Sequence, residues 1–417
     1  MLPAGYKAGT LFSQIPTDGA GDFTFSRASA ATRVNSEGLI EEVLSNIPRL
    51  NYPLIDGVVQ GCPSLLLEPQ RSNLYVRSNQ FETTWAKLNL SVFSNNNISP
   101  DGSLNGYLLK ENEINGSHDI RQNATVVSGL QYTYSIFVKK SDLGQDRNLS
   151  FYIGGPNGSI SFNTTDGTFF NIGSVDSYSS ESYGNGWWRL QFTDTSVSTS
   201  FNVIAILNNG STIYTGDGVS GVCIYGSQLE QGSYATSYIP TSGSSVTRVA
   251  ETCNGAGDVN TFNSEEFVFL IETKVFKNDL SFRAVSLSDG TISNRIIIEF
   301  RNEENLLWAR YVKGGVAEGK ITGITSIDLS NNNKIALRGK ENNFSLWVNG
   351  SKIAEDLTVS MIPNGTLDRA NLDRGDGSES LSAKTKGIIY INEYYTDTQM
   401  SELTSINQNI RVTLTHV

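Results

Sequence analysis

Residues 130–140 read LQYTYSIFVKK. Leu130, Tyr132, Tyr134, Ile136 and Val138 recur at every second position, so an extended strand would carry them on one face. The same alternation returns in LSFYI, with Leu149, Phe151 and Ile153, and in WWRLQF, with Trp188, Leu190 and Phe192. FNVIAIL is a further run of this kind, and Gly, Asn, Asp and Ser separate the runs, as in TTDGTF and GNGWW. Period-two runs with such breaks predict an antiparallel β-sandwich over residues 81–250, one face of each sheet buried and the other wet.

Residues 251–417 predict a second all-β unit, with strands in EFVFLIETKVF, NRIIIEF, LLWARYV, NKIALRG and FSLWVNGSKIAE. Asn349-Gly350 supplies the positive-φ turn of a hairpin. The ending GIIYINEYYTDTQMSELTSI reads as a strand and then a short helix, capped by Thr396 or Asp397, with Met400, Leu403 and Ile406 on one face. Residues 1–80 differ: Pro48, Pro53, Pro63 and Pro69 interrupt every apolar run. Proline removes a backbone donor and restricts its predecessor, so this stretch is expected to be an extended arm rather than a source of central strands. Leu65, Leu66 and Leu67 are then expected to pack on a neighbouring domain or subunit.

The chain has 417 residues, 31 basic against 42 acidic, for a net charge of −11. Such a balance argues against a nucleic-acid binder, which needs a basic track. No apolar run is long enough to cross a bilayer, and the opening MLPAGYKAGTLFSQIP lacks the apolar core of a signal peptide. Cys62, Cys223 and Cys253 lack zinc-site spacing; an odd number allows one pair at most, and free buried thiols are expected.

Three strings carry a family resemblance. FTFSRASAATRVNSEGLIEE (Phe23–Glu42), continued by LLLEPQRSNL, resembles the leader of tailed-bacteriophage tail or fibre proteins. The matching residues include Phe25, Arg27, Arg33, Glu68 and Arg71. YGSQLEQGSYATSYIPTSGSSVTRVAE (Tyr225–Glu251) resembles the close of a jelly roll similar to carbohydrate-binding modules. The carboxy-terminal unit resembles a concanavalin A-like or laminin-G-like sandwich. The resemblance implies an all-β chain: an anchoring arm (1–80), a carbohydrate-binding-module-like sandwich (81–250) and a lectin-like sandwich (251–417). It implies a virion protein held by other virion proteins, a homo-oligomer such as a trimer, and attachment to a host surface glycan. The alternatives are a head or tail decoration protein and, third, a polysaccharide-degrading fibre enzyme.

Arg27 and Arg33 each offer several directional hydrogen bonds, so with Phe25, Glu68 and Arg71 they are the expected anchoring residues. For a sugar, aromatic faces are needed beside amides or carboxylates. Trp187 and Trp347 fall on the wet side of their strands by alternation, and Trp85 and Trp308 complete the candidates. Asp166 and Asp217, each followed by glycine, are candidates for a structural calcium and read more simply as turns. No catalytic step is expected. The strand signature E-x-D-x-x-E, a G-x-S-x-G elbow and a P-loop do not occur, and Glu265-Glu266 and Glu303-Glu304 read as solvated strand ends. The histidines are His118, expected at the surface near a strand start, and His416, the penultimate residue.

Overall fold

Alternating apolar residues leave a strand with one face that must be covered, and two such sheets cover each other. The computed structural model, which describes residues 5–7, 10–12, 22–153, 158–276 and 281–406, shows this twice. In the first sandwich Gln131–Lys140 lies antiparallel between Trp187–Thr195 and Gly221–Gln231 in a six-stranded sheet. A second six-stranded sheet is built around Asp119–Thr125, Ser200–Asn208 and Asn148–Ile153. Tyr132, Tyr134, Ile136, Val138, Phe151, Leu190 and Phe192 fill the space between them.

The second sandwich pairs a seven-stranded sheet, containing Arg283–Ser288, Arg295–Phe300 and Leu307–Lys313, with a nine-stranded one among the described residues. Phe267–Val275 runs antiparallel between Ala383–Ile391 and Asn333–Lys340 in the latter. Val348 and Ser351 face each other across Asn349 (φ 51°) and Gly350 (φ 88°), the positive-φ pair that a two-residue hairpin needs. The α-helix Asp397–Thr404 lies on the outer face of this sheet, where Met400 joins Val268, Leu270, Ala336, Trp347 and Ile389. Thr396 caps it in a reciprocal box with Gln399. Ile406 lies beyond its end and is exposed.

The leading segment does not behave as a separate arm. Thr24–Ser26 adds to the edge strand Thr252–Ala256 of the seven-stranded sheet. Ser64–Leu67 adds to the nine-stranded sheet, between Arg49–Asn51 and Ala383–Ile391. Phe23, Leu65 and Leu67 are core residues of the second sandwich, which is therefore assembled from both ends of the described chain. The prolines do not prevent this, because the four-residue strand fits between Pro63 and Pro69 and the missing donors fall outside the ladder. Between these strands the segment crosses the first sandwich. The hairpin Leu54–Ile55/Val58–Val59 turns at Asp56 (φ 50°) and Gly57 (φ 78°) and meets Gly184 backbone to backbone. A Cβ on Gly57 would lie 2.3 Å from the Gly184 nitrogen, so only glycine permits the contact.

Candidate functional site

Where the leader, the first sandwich and the second sandwich meet, they enclose a cleft of about 540 Å³. One wall is the outer face of the first sandwich's leader-side sheet. There Glu181 stands opposite Arg189 and Ser179 opposite Gln191 on paired strands, with half-buried Tyr183 just beyond. The facing wall is the outer surface of the nine-stranded sheet, with Lys274 directly across from Lys384. Arg33, Asn51 and half-buried Tyr52 of the leader form the third wall. Tyr234 and Phe276 stack at 5.4 Å with 14° between their rings and join the two sandwiches beside the cleft.

The walls are locked by a buried ionic cluster. The Arg27 guanidinium donates to Glu251 at 2.8 Å and to the carbonyls of Ser29, Val43, Leu44 and Ile47. Its five N–H groups are thereby all used. Arg49 donates to both carboxylate oxygens of Glu251, to the Thr32 carbonyl and to Ser237, and pairs with Glu68 at 2.8 Å. Arg248 approaches Glu68 at 3.0 Å, and Ser237 donates to Glu68 from its backbone and its hydroxyl. Burial by itself would raise the Glu68 carboxyl, but Arg248, Arg49 and the Ser237 hydrogen bonds together hold it well below its ordinary value. Burial opposes the charge of Arg49, and Glu68 and Glu251 outweigh it. For Arg27 desolvation prevails and its pKa is lowered. The cluster joins the leader (Arg27, Arg49, Glu68) to the segment that leaves the first sandwich (Ser237, Arg248, Glu251).

These contacts correct the anchoring expectation for Arg27 and Glu68: both are buried and spent within their own chain, so neither is open to a partner. Phe25 packs, half-buried, against the second core, with the Arg27 guanidinium 5.7 Å from its ring. Arg71 sits 5.5 Å from the Tyr234 ring and 3.7 Å from Glu230. Arg33 pairs with Glu41 at 3.0 Å and stays partly exposed.

The tryptophans are dispersed rather than gathered. Alternation placed Trp187 and Trp347 on the outer faces, where they are, but those faces are covered. Trp187 is 1% exposed beneath the leader, beside Ile40, Phe137 and Tyr238, and Trp347 is 4% exposed beneath the helix. Trp85 is 3% exposed in the first core, against Tyr75 and Phe81. None of these three offers a face to a sugar. Trp308 is half-buried on the seven-stranded sheet, with Arg301 4.3 Å and Arg310 5.9 Å from its ring. The residues that do line a cleft, Tyr52, Tyr183, Gln191, Lys274 and Lys384, were not singled out in the sequence. The available signal was the run WWRLQF: the parity that buries Leu190 and Phe192 turns Arg189 and Gln191 to the same outer face as Trp187.

The calcium candidates are turn residues. Asp166 accepts from Thr168 and Asn163, and Asp217 accepts from Val219 and Ser220 and meets Arg147 at 3.3 Å. Among the described residues no group of three or more His, Cys, Asp or Glu could hold a metal ion. His118 is buried, not at the surface, with its ring nitrogens 2.7 Å and 3.3 Å from the carbonyls of Asn89 and Tyr214. His416 lies outside the described residues. Glu265, Glu266, Glu303 and Glu304 are exposed, Cys62 is an exposed thiol, and Cys223 and Cys253 are buried free thiols. No described helix is long and apolar enough to cross a membrane.

No family model matches this chain, and no curated protein matches it in sequence. Solved structures similar to it include the CBM40 of the Ruminococcus gnavus IT-sialidase bound to α2,3-sialyllactose. That match has 14% identity, covers 36% of this chain and 94% of that one, and has a TM-score of 0.30. Sheep galectin-11 in complex with glycerol matches at 10% identity, over 31% of this chain and 91% of that one, with a TM-score of 0.24. Domains LG4–5 of the mouse laminin α1 chain match at 9% identity, over 67% of this chain and 85% of that one, with a TM-score of 0.21. Each is a distant likeness.

Proposed function

We propose that this chain is a non-catalytic glycan-binding protein and that the cleft between leader and sandwiches holds the saccharide. The observation that carries this reading is the composition of the cleft: the rings of Tyr52 and Tyr183 stand beside Gln191, Asn51 and Glu181 in a space of about 540 Å³. Flat apolar faces suit the C–H surfaces of a pyranose, while amide and carboxylate groups take its hydroxyls. The Tyr183 hydroxyl stays protonated to well above its ordinary value, first through burial and then through Glu181, so it remains a donor at any physiological pH.

In the finer reading the chain is a phage virion protein that displays this cleft toward a host surface, made firm by several copies in a symmetric oligomer. The leader strings that resemble phage tail and fibre proteins support it. So does the surface of the leader, where Leu44, Ile47, Ile55 and Val58 remain exposed for contact with other virion proteins. The test is a titration of the full chain against oligosaccharides prepared from candidate host surfaces. Tyr183→Ala is expected to weaken binding by about tenfold, about 1.4 kcal/mol, in a chain whose β circular dichroism shows that it is still folded. A folded chain that binds no saccharide would overturn the glycan reading and favour a decoration role. Release of shortened saccharide would favour the enzyme.

A further inference from the structure

We propose that the saccharide taken by the cleft is anionic, carrying a carboxylate or sulfate group, and that Lys274 and Lys384 hold that group. This rests on the cleft being the glycan site and adds the class of its ligand. Lys274 and Lys384 are direct cross-strand partners on the outer face of the nine-stranded sheet. Like charges so placed repel one another. Neither ammonium group forms an ion pair among the described residues, and the Lys274 pKa is lowered, first by desolvation and then by Lys384.

The other charged groups at the cleft do not relieve the pair. Glu68 is committed to Arg49 and Arg248, and Arg33 to Glu41. Glu181, across the cleft, and Asp328 act on Lys274 only at longer range. Glu181 stands opposite Arg189, which is itself 5% exposed. Arg189 donates through Nη2 to Ser135 and to the Thr236 carbonyl, and it stands beside the Tyr183 hydroxyl in the cleft.

Among the described residues, and apart from the Arg33–Glu41 pair, the cleft thus gathers three cations, Lys274, Lys384 and Arg189, against Glu181 as the one carboxylate not otherwise committed, in a chain whose net charge is −11. A local excess of the sign opposite to the whole surface draws an anion to that place. A bare oxyanion would leave most of the cleft unfilled and Tyr52 and Tyr183 without a partner. A sugar ring bearing the anion meets both needs.

The test uses the full chain and matched oligosaccharides in neutral, carboxylated and sulfated forms, titrated at low and at high salt. The expected result is that a charged form binds about tenfold more tightly than the neutral one at low salt, with the advantage shrinking as salt screens it. The carboxylated and sulfated arms then identify which group is taken. The double variant Lys274→Gln/Lys384→Gln is expected to reduce the affinity for the charged form to that of the neutral one, with an unchanged melting curve. Neutral and charged forms bound equally, or a double variant that keeps the preference, would overturn the charge assignment and leave the glycan reading intact. Binding of free sulfate or acetate as tightly as the charged saccharide would overturn it as well. Binding of none of the saccharides would overturn the glycan reading itself.

Discussion

Arg27 and Arg33 stand six positions apart in one leader and meet opposite fates. Arg27 is enclosed with all five donors satisfied, whereas Arg33 keeps a partly exposed pair with Glu41. What separates them is Glu251, 224 positions beyond Arg27, and no local pattern announces that pairing. Removing one charge of a buried cluster leaves its partners unpaired in a poor dielectric. Glu251→Gln is therefore expected to destabilise the fold by about 3–5 kcal/mol, read from denaturant unfolding. Glu68 gives the cluster a pH signature. Its carboxyl is held below the ordinary 4.5, so its contribution is present above pH 4.5 and is lost as the pH falls below that value. Unfolding midpoints measured downward from pH 6 should decline below about 4.5, and Glu68→Gln should flatten that decline.

At the scale of elements, parity was legible and cover was not. Alternation assigned Trp188, Leu190 and Phe192 to the first core and turned Trp187 and Trp347 outward, as the strands have them. It could not show that the leader lies over Trp187 or the helix over Trp347, because a strand's period reports which side a residue takes and nothing of what lies there. The helix can be tested alone. Thr396→Ala removes the cap and is expected to cost about 1 kcal/mol. Met400→Ala empties the contact between helix and sheet, at about 2–5 kcal/mol, and should uncover Trp347. A red shift of tryptophan emission at mild denaturant, before global unfolding, is the expected sign in both variants. Coincident transitions would show that the helix is not an independently detachable cover.

For the whole molecule, the path of the leader decides what can be separated. It supplies Thr24–Ser26 to one sheet of the second sandwich and Ser64–Leu67 to the other, with Phe23, Leu65 and Leu67 in the core. A chain beginning at residue 71, which keeps Tyr75 in the first core, is therefore expected to retain the first sandwich while the second loses cooperative unfolding and binds apolar dyes. Two intact sandwiches in that fragment, seen by calorimetry as transitions like those of the full chain, would contradict this assembly. Such truncation also removes one wall of the cleft, so a fragment's failure to bind would not by itself identify the leader as an anchor.

The sequence by itself determined the all-β character, the hairpin at Asn349-Gly350, a closing helix capped by Thr396 or Asp397, and the inward-facing side of the strands that carry Tyr134, Leu190 and Leu346. These follow from short-range stereochemistry, in which a few neighbouring residues suffice. Only the tertiary structure decided that the leader completes the second sandwich, that Arg27, Arg49, Glu68, Arg248 and Glu251 close on one another, and that Lys274 and Lys384 face Tyr183 across a cleft. Each of those arrangements joins residues far apart along the chain. They form because apolar edges and buried charges must find partners wherever the fold brings them, and distance in sequence carries no record of it.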